Sequence, residues 1–212
     1  IRYENAHDLF NRAFSTNTLD FRKVICDFSR STYHSLLDKD FKSVALESNK
    51  NPHFINAGDL IVRNSSSSAV VIHGVKEDED PEYTTMWTLL GYPFTTVACP
   101  TWVAGGDDLP EIFTSKENNA PLCDWALELK EEAYPIQRGS GYKYMNIKAL
   151  FNSEQTGITQ KLRSVERSVF QHTEKKMQKW RQNGMNKENI QQYYHWLNNY
   201  VQMKYGELFG LE

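Results

Sequence analysis

Cysteine is scarce in this sequence: 212 residues hold 3, Cys26, Cys99 and Cys123, with no CxxC spacing among them. An odd, scattered set gives no support to a disulfide framework or a zinc site. His7, His34, His53, His73, His172 and His195 are equally dispersed and never stand at ligand spacing on one helix, so no metal is expected. Long apolar runs are missing too. No stretch of 18 apolar residues exists, which excludes a helical membrane span. A strong charge of either sign is lacking: the net charge is −3, and no broad nucleic-acid surface is implied. The chain carries no GxSxG elbow, P-loop, GxGxxG, HExxH or EF-hand spacing, so no cofactor is called for. It begins at Ile1 with neither a methionine nor a signal peptide, as a processed product or a fragment would. The compartment is therefore not legible; soluble, secreted and periplasmic settings are all compatible.

What is present is a globular composition. Hydrophobic residues make up 40% and aromatics 13%, enough for a substantial core in one domain of this length. Charge is uneven along the chain. Residues 77–82 hold Glu77, Asp78, Glu79, Asp80 and Glu82, read as a solvated loop, and 161–187 hold eight Lys or Arg, read as the wet face of a helix. Carboxylates on such an exposed tip are poorly placed for acid–base chemistry.

Patterning predicts an α+β chain in three parts: a helical lead-in over 1–57, a sheet over 58–104, and a helical layer with a hairpin over 105–212. Tyr3, Ala6, Leu9, Phe10, Ala13 and Phe14 recur at helical spacing. A break at 15–18 follows, with Asn17 or Thr18 as N-cap of a second helix. Residues 38–57 read as a polar excursion. Strands are expected over 60–62, 69–75, 84–90 and 94–102, and 84–90 carries apolar residues on both faces, as a doubly covered strand does. Pro93 and Pro100 belong at strand ends or edges. A helix is expected over 120–133 with Pro121 in its first turn. Two apolar stripes then close the chain, Leu162–Val165–Val169–Met177–Trp180 and Ile190–Tyr194–Leu197–Val201–Tyr205–Leu208. Gly184 and Asn186 between them act as C-cap and N-cap of an antiparallel helical hairpin.

The chemistry-bearing candidates are few. Cys26 follows Val24 and Ile25 near the end of a predicted helix and reads as a buried, inert thiol; a self-contained thiol enzyme would need it beside His34. Cys99 and Cys123 read as small core residues. The segment "DLIVRNSSSSAVVIHGV" is different, because an arginine and four serines interrupt two apolar runs. A guanidinium with nearby hydroxyls offers several donors to one anionic group or developing oxyanion. The plain alternative pairs Arg63 with Asp59 or the acidic tip and leaves the serines as a solvated turn.

That segment, with "TTMWTLLGYPFTTVACPTWV", "APLCDWALELK" and the terminal hairpin, resembles the C-terminal half of the penicillin acyltransferase-like family of N-terminal-nucleophile (Ntn) amide hydrolases. The resemblance spans roughly residues 55 to 205. It implies a four-layer αββα sandwich and autoproteolytic exposure of a cysteine. That cysteine's own α-amino group serves as its base while it attacks linear amide C–N bonds of a small-molecule substrate. Residue 1 here is Ile, so the nucleophile is expected on an upstream segment or partner chain, leaving these 212 residues inactive alone. Arg63 with Ser65, Ser66 or Ser67 matches the arginine–serine pair that the family places beside its nucleophile. The other expectation is a non-catalytic α+β module that docks a partner through its helical hairpin.

Overall fold

The two terminal stripes form the longest helices, α6 (Ile158–Asn183) and α7 (Lys187–Phe209). Gly184 ends the first at φ 85°, a conformation that costs other residues more. The Asn186 side chain then accepts the Asn189 N–H and starts the second. Every stripe residue is buried except the half-buried Leu208. The computed structural model describes residues 1–47, 51–115 and 120–211. No helix among them is long and apolar enough to cross a membrane.

Preceding the pair in the chain is an antiparallel three-stranded sheet in the order β4 (Ser68–His73), β5 (Thr85–Leu90), β6 (Ala98–Trp102). Trp102 couples the two layers. Its ring meets Trp180 and Tyr193 edge-on, each at 5.2 Å, and its indole N–H donates to Thr85 Oγ1 at 2.9 Å. Burying an aromatic of that size stabilises by about 1.5–3 kcal/mol, and the saturated N–H removes the desolvation cost. Pro100 sits on the edge strand, where the missing donor is tolerated.

The sheet departs from expectation in three ways, the first being that β6 starts at Ala98 and 94–97 form no strand. Residues 60–62 form no strand: Leu60 and Val62 are buried, but in a loop running on from the 3₁₀ turn Ala57–Asp59. An apolar run reports burial, and burial alone does not require a ladder partner. The doubly covered strand is also corrected. Along β5 Thr85, Trp87 and Leu89 are buried, while Met86 is exposed and Thr88 and Leu90 are half-buried. One face packs on the helices and the other is left open, with Val70 and Ile72 of β4 also exposed there.

The lead-in is rotated relative to its pattern: of the expected stripe Ala13 is buried and Ala6 and Leu9 are half-buried. Helix α1 (Arg2–Ser15) forms, yet Tyr3 is 80% and Phe14 79% exposed, and only Asn5 and Ala13 are buried. Hydrogen bonds orient it. Asn5 Nδ2 donates to the Tyr33 carbonyl at 2.8 Å and to Ser31 Oγ at 3.1 Å, and Arg2 donates to the Gly58 carbonyl at 2.7 Å. Helix α2 (Phe21–Lys23) continues as a π turn over Val24–Phe28 and is capped by Asp20, not by Asn17 or Thr18. The short side chain of Asp20 accepts the Lys23 N–H at 2.7 Å, whereas Asn17 occupies a left-handed turn at φ 50°. The expected excursion over 38–57 holds structure: β1 (Tyr33–His34) pairs with β2 (Lys39–Asp40), and α3 (Phe41–Ala45) and β3 (Phe54–Asn56) follow. The 48–50 part of it lies outside the described residues.

Helix α4 (Pro121–Ala133) starts one residue inside the predicted bound, with Pro121 at its first position. Gly91 lets the chain turn tightly past it. At φ 85°, a Cβ on residue 91 would lie 2.5 Å from the Ala126 Cβ. Before α6 the chain forms β7 (Tyr144–Asn146), paired antiparallel with β3, and the short helix α5 (Ile147–Leu150).

Candidate functional site

The β3–β7 pair sets the geometry around Arg63. β3 runs into the turn at 57–59 and then the loop carrying Arg63, while Tyr142 and Lys143 enter β7 on the opposite wall. Between them lies an open cleft of about 540 Å³ whose lining includes Asp59, Arg63, Ser65, Lys130, Tyr142 and Lys143.

The backbone at Arg63 is fixed by the first serines. Ser66 Oγ accepts the Arg63 N–H at 3.0 Å and the Ser66 N–H donates to the Arg63 carbonyl at 2.9 Å, closing a turn over Asn64 and Ser65. The guanidinium itself is exposed and has no hydrogen bond or ion pair among the described residues. Its two sequence-based rivals for pairing are occupied or turned elsewhere. Asp59 lies 3.9 Å from His34 Nε2, and Glu79 of the acidic tip pairs with Arg181 at 2.8 Å. Ser65 lines the cleft and Ser66 holds the turn, but Ser67 is exposed and takes no part in either.

Lys130 adds a second cation. Its ammonium lies 5.5 Å from the Tyr92 ring centroid and 5.9 Å from that of Tyr134, and partial burial lowers its pKa from the ordinary lysine value. With Arg63 and Lys143 against Asp59, the cleft is net cationic and suited to a carboxylate or an oxyanion.

The cysteines offer no competing centre. Burial first, then the Glu166 carboxylate, pushes the Cys26 thiol up to about 12. Its Sγ lies 3.5 Å from Glu166 Oε2, while His34 Nδ1 accepts the Leu37 N–H at 3.3 Å. The Cys26–His34 arrangement is therefore not formed. Cys99 is wholly buried and Cys123 half-buried, both raised by burial. A thiol raised in this way is a poor nucleophile.

Sequence reasoning missed the most tightly bonded polar group. Arg30 and Glu166 are 4% and 2% exposed and form a two-pronged pair at 2.7 and 2.8 Å. Arg30 also donates to the Pro93 and Thr96 carbonyls, and Glu166 accepts the Ala98 N–H. No local signal connects positions 136 residues apart. Among the described residues no three His, Cys, Asp or Glu side chains gather as metal ligands. No family model matches the chain, and no curated protein or solved structure matches it.

Proposed function

We propose that this chain is the C-terminal portion of a hydrolase or acyltransferase acting on linear amide C–N bonds, of the penicillin acyltransferase-like Ntn kind. The observation that carries the reading is the Arg63 guanidinium, without a partner among the described residues, on a cationic cleft, its backbone held by Ser66. In this reading an N-terminal cysteine outside these residues is the nucleophile. Its α-amino group, ordinarily at about 7.7–8.0, takes the thiol proton. Arg63 then holds either a substrate carboxylate or the oxyanion of the tetrahedral intermediate, and the Ser65 hydroxyl adds a donor. Ser66, whose hydroxyl holds the Arg63 backbone, and Ser67 are dropped from this role because neither lines the cleft.

Two open apolar surfaces support an upstream partner segment. The face of β4–β5 exposing Val70, Ile72 and Met86 is where the second sheet of an αββα sandwich would pack, and Tyr3 and Phe14 present a second patch. The thiols here agree with a nucleophile lying elsewhere, since all three are raised.

The test is Arg63→Ala in the complete protein. Loss of one oxyanion donor lowers turnover by about 10²–10³, and an exposed substitution leaves unfolding within about 0.5 kcal/mol. Unchanged amide turnover removes Arg63 from the mechanism. A parent sequence with no cysteine at a cleavable upstream junction overturns the enzyme reading in favour of a binding module.

A further inference from the structure

A second cleft, of about 510 Å³, lies away from Arg63, between α1 and the start of α6. Its walls include Leu9, Arg12, Cys26, Lys42, Phe151 and Arg163. Lys42, near the start of α3, and Arg163, on the second turn of α6, approach the same aromatic ring. The ammonium lies 5.4 Å and the guanidinium carbon 6.0 Å from the Phe151 centroid. Both are half-buried, and neither has a carboxylate within ion-pair distance among the described residues.

The carboxylates nearby are committed to other partners. Asp40 accepts from the Thr32 hydroxyl and from the Lys42 backbone N–H, and Asp27 pairs with Lys23 at 3.2 Å. Glu166 is held by Arg30, and the Cys26 thiol points to it. Asp8 and Arg12 stand one turn apart on the α1 wall. Two like charges on one buried ring are thus left without a carboxylate in ion-pair contact among the described residues. Burial first, then the Arg163 charge, lowers the Lys42 pKa against the opposing pull of Asp40 and Asp27. Arrangements of this kind become favourable when a shared anion fills the space between the cations.

We infer that this cleft binds a small organic oxyanion, a carboxylate or phosphate with an apolar portion, held between Lys42 and Arg163 over Phe151. The planar guanidinium takes two oxygens of the anion, the ammonium takes one, and the half-buried Leu9 covers the apolar part. The site is independent of the Arg63 cleft and shares no residue with it.

Calorimetric titration of the chain with benzoate and with inorganic phosphate tests this, sodium chloride at equal ionic strength being the control. Saturable binding of at least one oxyanion with a Kd near or below about 1 mM is expected, with no response to chloride. Benzoate ahead of phosphate identifies the carboxylate, and the reverse order the phosphate. Lys42→Met and Arg163→Gln each weaken binding at least tenfold and abolish the anion-induced rise in melting temperature. Without anion the two variants melt no lower than the parent, since each relieves a like-charge contact. No saturable heat with either oxyanion, an equal response to chloride, or binding indifferent to both substitutions overturns the inference. So does a lowered melting temperature in both variants with anion binding intact, because it assigns the cations to structure.

Discussion

Removing the Arg30 side chain is the most demanding test of how this fold is held together. In Arg30→Met the Glu166 carboxylate stays buried and keeps only the Ala98 N–H and the Cys26 thiol as donors. The Pro93 and Thr96 carbonyls lose their guanidinium bonds at 2.6 and 2.8 Å. Breaking a buried pair from one side costs about 3–5 kcal/mol. The lost carbonyl bonds do not add fully to that, since Met fills the space and the carbonyls relax together. For a domain of this size each kcal/mol moves the midpoint by about 2–4 °C, so a fall of about 6–20 °C is expected. Thermal unfolding followed by far-ultraviolet circular dichroism measures it, with urea unfolding as a second readout. Glu166→Met falls by a similar amount, because it strands the guanidinium instead. The double variant recovers much of the loss and stays below the parent by about 1–3 kcal/mol, the residue of an Ala98 N–H and two carbonyls left unpaired. A single variant within about 0.5 kcal/mol of the parent, or a double variant equal to the sum of the singles, would refute the reasoning.

Three further outcomes follow from groups already described. With its thiol pushed up to about 12, Cys26 holds only about one part in 10⁴ as thiolate at pH 8, so iodoacetamide modifies it about a thousandfold more slowly than a free cysteine; mass-mapped rapid labelling at that site would contradict its environment. His73 is held below its ordinary pKa by burial, then by Arg181 and Arg22, so the unfolded chain takes up the proton first. Its contribution is complete above about pH 6.5 and is lost as pH falls below it, and His172 shifts in the same direction. His73→Phe therefore flattens the fall of the urea midpoint between about pH 7 and pH 5, and an unaltered slope counts against the assignment. Gly91→Ala places a Cβ against Ala126 at positive φ and destabilises by at least about 2 kcal/mol in urea unfolding, whereas an unchanged midpoint shows that the turn can relax.

Local and periodic signals carried the sequence reading furthest. The α6–α7 pair was legible to its caps, because Gly184 and Asn186 interrupt two stripes whose spacing leaves little choice of partner face. The α1 stripe misled for the same reason. Periodicity says that Tyr3, Phe10 and Phe14 share a side, but which side faces inward was decided by Asn5 reaching Tyr33 and Ser31. Arg63 and its serines were visible as a compositional break, and the split of roles among Ser65, Ser66 and Ser67 needed the turn geometry. Lys42 and Arg163 gave no signal in the chain, since only packing around Phe151 brings them together. The four-layer sandwich rests on resemblance; the described chain is α+β with one layered sheet face.

The carboxylate of Glu166 draws together stretches of chain 68, 136 and 140 positions distant from it. None of those contacts is rewarded until long loops have already closed, and loop closure is where folding from the coil loses time. The helical pair can mature on its own local periodicity, in any order. The anchorage of the sheet to it through Glu166 needs those long loops closed first.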